Sequence, residues 1–112
     1  LVIDDEPQLA RMIALTLEGH GYRTIVAHNG QEGLELWHQH RSAIKLIIVD
    51  MLMPKIDGFG VMREVKAIDP RCKIIAMSGT ETLTHDRCGG GLFLSKPFNP
   101  DDLLEAVANL LK

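Results

Sequence analysis

With 112 residues the chain has room for one hydrophobic core and too few for two independent ones, so a single domain over 1–112 is expected. A hydrophobic share of 46% beside 24% charged residues is ordinary for a globular protein, and no apolar run approaches a bilayer span, which argues against membrane insertion. The formal charge of -3 and the lack of a Lys/Arg stripe argue against direct contact with nucleic acid. Cys72 and Cys88 show neither CxxC nor zinc-ligand spacing and read as reduced thiols of a cytoplasmic protein. The chain opens without Met inside an apolar run, so the first strand is expected to begin upstream and flanking domains to lie out of view.

In chain order, residues 1 to 3 read as the end of a strand. Asp5-Glu6-Pro7 then opens a helix, with acids at its positive end and Pro in the first turn. Leu9, Met12, Ile13 and Leu17 share one helical face until Gly19 and Gly21 break the period. Tyr22 to His28 reads as a second strand, and Asn29 with Glu32 three residues on marks the start of a helix running to about His40. Ile44 to Val49 is a nearly continuous apolar run, the pattern of a central strand covered on both faces.

A loop carrying Pro54 and Gly58 follows, and Val61, Val65 and Ile68 mark a third helix ending near Pro70. Lys73 to Met77 is a fourth strand and Leu92 to Leu94 a short fifth, separated by a polar, Gly-rich stretch from Gly79 to Gly91. Asn99-Pro100-Asp101 opens a last helix with Leu103, Leu104, Val107 and Leu111 on its apolar side. Strands alternating with helices predict an α/β fold: a doubly wound, flavodoxin-like parallel sheet of five strands in the order 2-1-3-4-5.

In such a sheet the functional site lies beyond the carboxyl ends of the strands. Strand one there runs into Asp4-Asp5, strand three ends in Asp50, strand four in Ser78, and strand five leads to Lys96-Pro97. Three carboxylates brought together repel one another and raise their own pKa values unless a cation neutralises them, and a hard ion such as Mg2+ or Mn2+ suits oxygen ligands. The set fits phosphoryl transfer, which needs positioning and charge neutralisation above all. Asp50 can serve as nucleophile, because carboxylates form acyl phosphates. Lys96 and the metal would neutralise phosphoryl oxygens, and the Ser78 hydroxyl would hydrogen-bond to one of them.

Taken in order, Asp4-Asp5-Glu6, Asp50-x-x-Met53-Pro54-x-x-Asp57-Gly58, Ser78-Gly79 and Lys96-Pro97-Phe98 resemble the receiver domains of two-component response regulators, over essentially the whole chain. Each piece is weak alone, and the ordered set is specific. The resemblance implies that Asp50 is the phosphoacceptor and that Asp5, Asp50 and the main-chain carbonyl of Leu52 coordinate the metal, with Asp4 acting through bound water. It implies that Ser78 and Lys96 respond to the phosphoryl group and that Phe93 is an aromatic switch. Leu52 and Thr80 fall where the family tunes phosphoryl lifetime, and Pro97 where it often has a cis peptide bond. The implied partners are a histidine kinase or histidine phosphotransfer protein and an effector domain or downstream protein, together with a phosphorylation-dependent dimer.

One departure stands out. The segment from Ser78 to Gly89 is short of the family pattern by roughly one helical turn, which puts the output surface built there in doubt.

Plainer readings exist for each piece. Asp4 and Asp5 could cap a helix, but capping needs one acid and leaves Asp50 unexplained. Asp57-Gly58 reads as a turn rather than a ligand, and Trp37, Met62 and the cysteines as packing. Phe93 could be plain core. The five histidines show no ligand spacing. A metal-dependent phosphohydrolase would place its nucleophile as Asp-x-Asp after strand one and carry a cap. An FMN module would need a loop of backbone donors where Asp4-Asp5-Glu6 would repel phosphate. A receiver-like module without phosphorylation is supported only by the short segment after Ser78.

Overall fold

The computed structural model describes residues 1–51, 53, 57–78, 92–96 and 98–111, with 92 and 93 described by their backbone. The elements alternate as expected: β1 (Val2–Ile3), α1 (Pro7–Glu18), β2 (Val26–Ala27), α2 (Gly30–Gln39), β3 (Leu46–Asp50), α3 (Gly58–Ile68), β4 (Lys73–Ser78), β5 (Leu92–Ser95) and α4 (Pro100–Leu111). The five strands are parallel in the order β2-β1-β3-β4-β5. Because the order reverses at β1, the ends of β1 and β3 lie side by side, with Ile3 opposite Val49.

Period-two alternation in the central strands divides the core in two. Ile47, Val49, Ile74 and Ala76 pack with Leu34 and Trp37 of α2 and Val61 and Val65 of α3. Leu46, Ile48, Ile75 and Met77 pack with Ile13 and Leu17 of α1 and Leu103 and Val107 of α4. Burial on both faces is why Leu46 to Asp50 has no polar alternation. Trp37 and Met62 are buried in this packing, and Cys72 is buried beside them, as their plain reading requires.

The helix starts follow local chemistry. Pro7 takes the first helical position of α1, where its missing N–H costs nothing. Asn29 caps α2 by accepting from the Glu32 amide at 2.8 Å, while a Glu32 carboxylate oxygen accepts from the His28 amide at 3.2 Å. Asn99 caps α4 through the Asp102 amide at 2.8 Å.

Two expectations need adjustment. The second strand is shorter than Tyr22 to His28, because β1 offers only Val2 and Ile3 as partners in the ladder. Ile68 is 42% exposed: it is the final residue of α3, and the buried face of that helix ends with Val65. The start of α1 falls at Pro7 as expected, with Glu6 before it making no side-chain cap and the Glu6 amide donating to Asp4. The stretch from Gly79 to Gly91, and with it the length of the segment from Ser78 to Gly89, lies outside the described residues. Among the described residues no helix is long and apolar enough to cross a membrane.

Ile75 is fully buried and Leu15 of α1 is 57% exposed. Ile75→Ala should cost about 2–5 kcal/mol through lost burial and the cavity it leaves. Leu15→Ala should stay within about 0.5 kcal/mol. Urea denaturation of the two variants measures both values, and equal losses would contradict this placement of the core.

Candidate functional site

The carboxyl edge of the sheet brings the expected residues together. Asp4 directly follows β1, Asp50 closes β3 and Ser78 closes β4, while Lys96 directly follows β5. Asp50 is paired with Met77, which sets Ser78 one residue further along the same edge. The Lys96 amide donates to the Ser78 carbonyl at 2.8 Å, so the two chain ends leave the sheet tied to each other.

Asp4, Asp50 and Ser78 are all buried, whereas Asp5 faces solvent. One oxygen of each of Asp4, Asp5 and Asp50 lies within 4.8 Å of the others, forming an acidic cluster. The Lys96 ammonium stands 3.3 Å from Asp50 Oδ2 and 3.6 Å from Asp4 Oδ2. The Lys96 ammonium is thus shared between two buried carboxylates.

Asp4 carries the largest unmet demand. Its Oδ1 accepts from the Glu6 amide at 2.8 Å, but its buried Oδ2 has no hydrogen-bond donor, since Lys96 is close enough for an ion pair only. Burial pushes the Asp4 carboxyl above the ordinary value of 3.8. The Glu6 amide and Lys96 oppose that shift, and the Asp50 and Glu6 carboxylates add to it.

These features answer whether the residues suit a divalent cation. Among the described residues three carboxylates gather beside the Lys96 ammonium, and Asp4 Oδ2 is a buried acceptor lacking a donor. Carboxylate oxygens are the donors a hard dication takes. The fit is good, with Asp5 reaching it from the solvent side.

Other expected site residues fare differently. Phe93 lies in β5 at the register position opposite Ala76, but its side chain lies outside the described residues. Leu52, Thr80 and Pro97 also lie outside them. Asp57 is more than a turn residue, because its Oδ1 accepts from the Gly60 amide at 2.9 Å and caps α3. Gly58, a loop and turn glycine by its sequence, has a further place in the structure. It opens α3 against the backbone of Asp50 and Met51, and a glycine at a helical start that any residue could occupy was the available signal.

Residues 1–108 match the family model of the response regulator receiver domain. The chain is 35% identical to the response regulator GtcR of Aneurinibacillus migulanus, over 98% of this chain and 45% of that protein. It is 30% identical to the probable transcriptional regulator ycf27 of Guillardia theta, over 100% of this chain and 44% of that one. A receiver domain protein from Clostridium thermocellum superposes with a TM-score of 0.90 at 32% identity, covering 98% of this chain and 90% of that one. The receiver domain of the hybrid histidine kinase CckA superposes with a TM-score of 0.86 at 29% identity, covering 99% and 96%. The chain therefore belongs to the response regulator receiver family. It spans less than half the length of those two curated relatives. With its acidic cluster it has the phosphoacceptor role of a signalling domain rather than that of a turnover enzyme.

Because folding holds the Asp4 carboxyl above its ordinary value, ionising Asp4 favours the unfolded state. The stability contributed by the neutral form is complete below about pH 3.8 and is lost as pH rises through the folded value. Asp4→Asn retains an acceptor for the Glu6 amide and removes the buried charge. Metal-free Asp4→Asn protein should match wild type in acid and exceed it at neutral pH by about 1–3 kcal/mol, the scale of an unsatisfied buried group. Millimolar Mg2+ should narrow the gap by stabilising wild type more, by about 1.4 kcal/mol at tenfold excess over Kd. Thermal melts across pH, with chelator and with Mg2+, check both signs.

Proposed function

We propose that Asp50 accepts the phosphoryl group of a phosphohistidine on a histidine kinase or histidine phosphotransfer protein. A carboxylate oxygen of Asp50 bonds to phosphorus as the P–N bond breaks, and the departing imidazole nitrogen takes up a proton. The observation that carries this reading is the Lys96 ammonium 3.3 Å from Asp50 and 3.6 Å from Asp4, at a strand edge that Asp5 also reaches.

Each side chain has a part. Asp50 is oriented by Lys96, whose ammonium is free to follow the new phosphoryl oxygens once the carboxylate charge moves onto them. The Ser78 hydroxyl, buried one residue beyond the Asp50 pairing position, donates to another of those oxygens. Asp5 and Asp50, with the Leu52 carbonyl, would hold Mg2+ or Mn2+, and Asp4 would contribute through water. When bound, that ion neutralises carboxylate and phosphoryl charge in a transfer that depends on such neutralisation.

Output follows from the same charges. The phosphoryl group draws Ser78 inward, the chain after β4 shifts, and Phe93 turns into the space, with Leu52 and Thr80 setting how long the acyl phosphate lasts. The phosphorylated surface then engages an effector domain or downstream protein in the cytoplasm, or a second copy of the domain. Two relatives named as transcriptional regulators or response regulators, and one domain from a hybrid kinase, supply both contexts as models.

Incubation with acetyl phosphate and Mg2+ should add one phosphoryl group, read by intact mass. Asp50→Asn should abolish it, because the amide preserves shape without the nucleophilic oxygen. Asp5→Ala should weaken Mg2+ by at least about tenfold and slow labelling with it. Wild-type labelling of Asp50→Asn would move the acceptor elsewhere, and full labelling in chelator would remove the metal from the reaction.

A further inference from the structure

Asp50 can work only if its carboxylate is aimed at Lys96 and at the Asp4 and Asp5 oxygens, and a side chain leaves its backbone along a direction set by the peptide planes around it. Two contacts hold those planes. On the sheet side the Met51 amide donates to the Met77 carbonyl at 2.9 Å, extending the β3–β4 ladder one residue past Asp50. On the other side stands Gly58. A methyl group built there would lie 2.7 Å from the Asp50 carbonyl oxygen, 2.7 Å from Met51 Cα and 2.6 Å from Met51 Sδ.

The same glycine closes the connection between β3 and α3. Its amide donates to the Met51 carbonyl at 3.3 Å, which ties the start of α3 to the residue after β3. Asp57 locks the arriving helix by accepting from the Gly60 amide. Gly33 differs in the part that matters. The atoms nearest a methyl group there all belong to the Ile3 side chain, with Cγ1 at 2.8 Å, and none to the backbone of a site residue. At Gly58 the obstacles include backbone, which can give way only by moving the Asp50–Met51 peptide.

We propose that Gly58 is a positioning residue for phosphoryl transfer: its missing Cβ lets the start of α3 press on the Asp50–Met51 peptide and so aims the Asp50 carboxylate. This rests on Asp50 being the acceptor. Any larger residue at 58 displaces the peptide and turns the carboxylate away from its partners, and misplacement on the ångström scale costs up to about 100-fold in rate.

The test compares wild type, Gly58→Ala and Val65→Ala, the last removing buried α3 volume far along the helix from Asp50. Each is labelled with acetyl phosphate over a range of donor, and Mg2+ affinity is measured by calorimetry at a temperature where all are folded. Gly58→Ala should lower the saturating labelling rate about 10- to 100-fold with little change in the half-saturating donor concentration, and should weaken Mg2+. It should also speed amide exchange at Met51 in the metal-free protein. Val65→Ala should leave all three unchanged. Adding Met51→Ala should not rescue Gly58→Ala, because the limiting contacts are backbone.

If Gly58→Ala does not fold, Asp57→Ala against Asn29→Ala decides. Both delete a helix N-cap at about 1 kcal/mol, but only the first loosens the turn seated on Asp50 and should slow labelling. A folded Gly58→Ala with wild-type labelling and Mg2+ affinity, or Asp57→Ala indistinguishable from Asn29→Ala, overturns the proposal. A wild-type protein that takes no label from the donor would instead defeat the reading of Asp50 as acceptor.

Discussion

Everything at this site depends on one ammonium held between two buried carboxylates. Taking Asp4 and Asp50 out of water is costly, and the attraction of Lys96 offsets only part of that cost because it is divided between them. Asp4 shows the shortfall: an oxygen without a donor and a carboxyl pushed up by burial. A fold arranged for stability alone would replace such a group. Its retention makes the carboxyl edge of the sheet a place where added positive charge, or a transferred group that recruits Lys96, changes the balance of forces.

That tension becomes useful because its surroundings are stiff. Asp50 sits at the end of the central strand, between β1 and β4, with core packed on both faces of the sheet behind it. The Met51–Met77 hydrogen bond and the abutting start of α3 continue that rigidity past the last ladder residue. Lys96 approaches from β5 and is tied through its own amide to Ser78. A change in charge at Asp50 therefore cannot be absorbed by drift of its own backbone. It is felt by Ser78, where the chain leaves β4, and by Lys96, which follows β5 on the same edge of the sheet.

Buried carboxylates near a shared cation would, under the proposed function, let the same residues serve binding and switching. Asp5 opens the acidic cluster to solvent, while Lys96 meets Asp50 from within the protein. A dication bound there would join Lys96 in balancing the charge of Asp50 as it passed to phosphoryl oxygens. Lys96 is the partly exposed member of the pair it forms with Asp4, which is fully buried.

Much of this was legible in the sequence, for reasons that can be named. The apolar run before Asp50 could only be a strand covered on both faces, and strands alternating with helices allow few topologies once crossovers are right-handed. That placed Asp4, Asp5, Asp50, Ser78 and Lys96 on one edge, because strand ends in a parallel sheet point the same way. What the sequence could not decide were matters of contact across the chain. Period alone put Ile68 with Val65, and only packing showed where the buried face of α3 stops. Composition could not say that Asp4 would be buried with an oxygen lacking a donor while its neighbour Asp5 stays in solvent. Nor could Asp57-Gly58, a turn by its residues, reveal that its glycine rests on the backbone of Asp50. Local propensity and periodicity act between near neighbours in sequence, whereas the aim and charge state of a buried carboxylate are set by atoms that only the folded chain brings within a few ångströms.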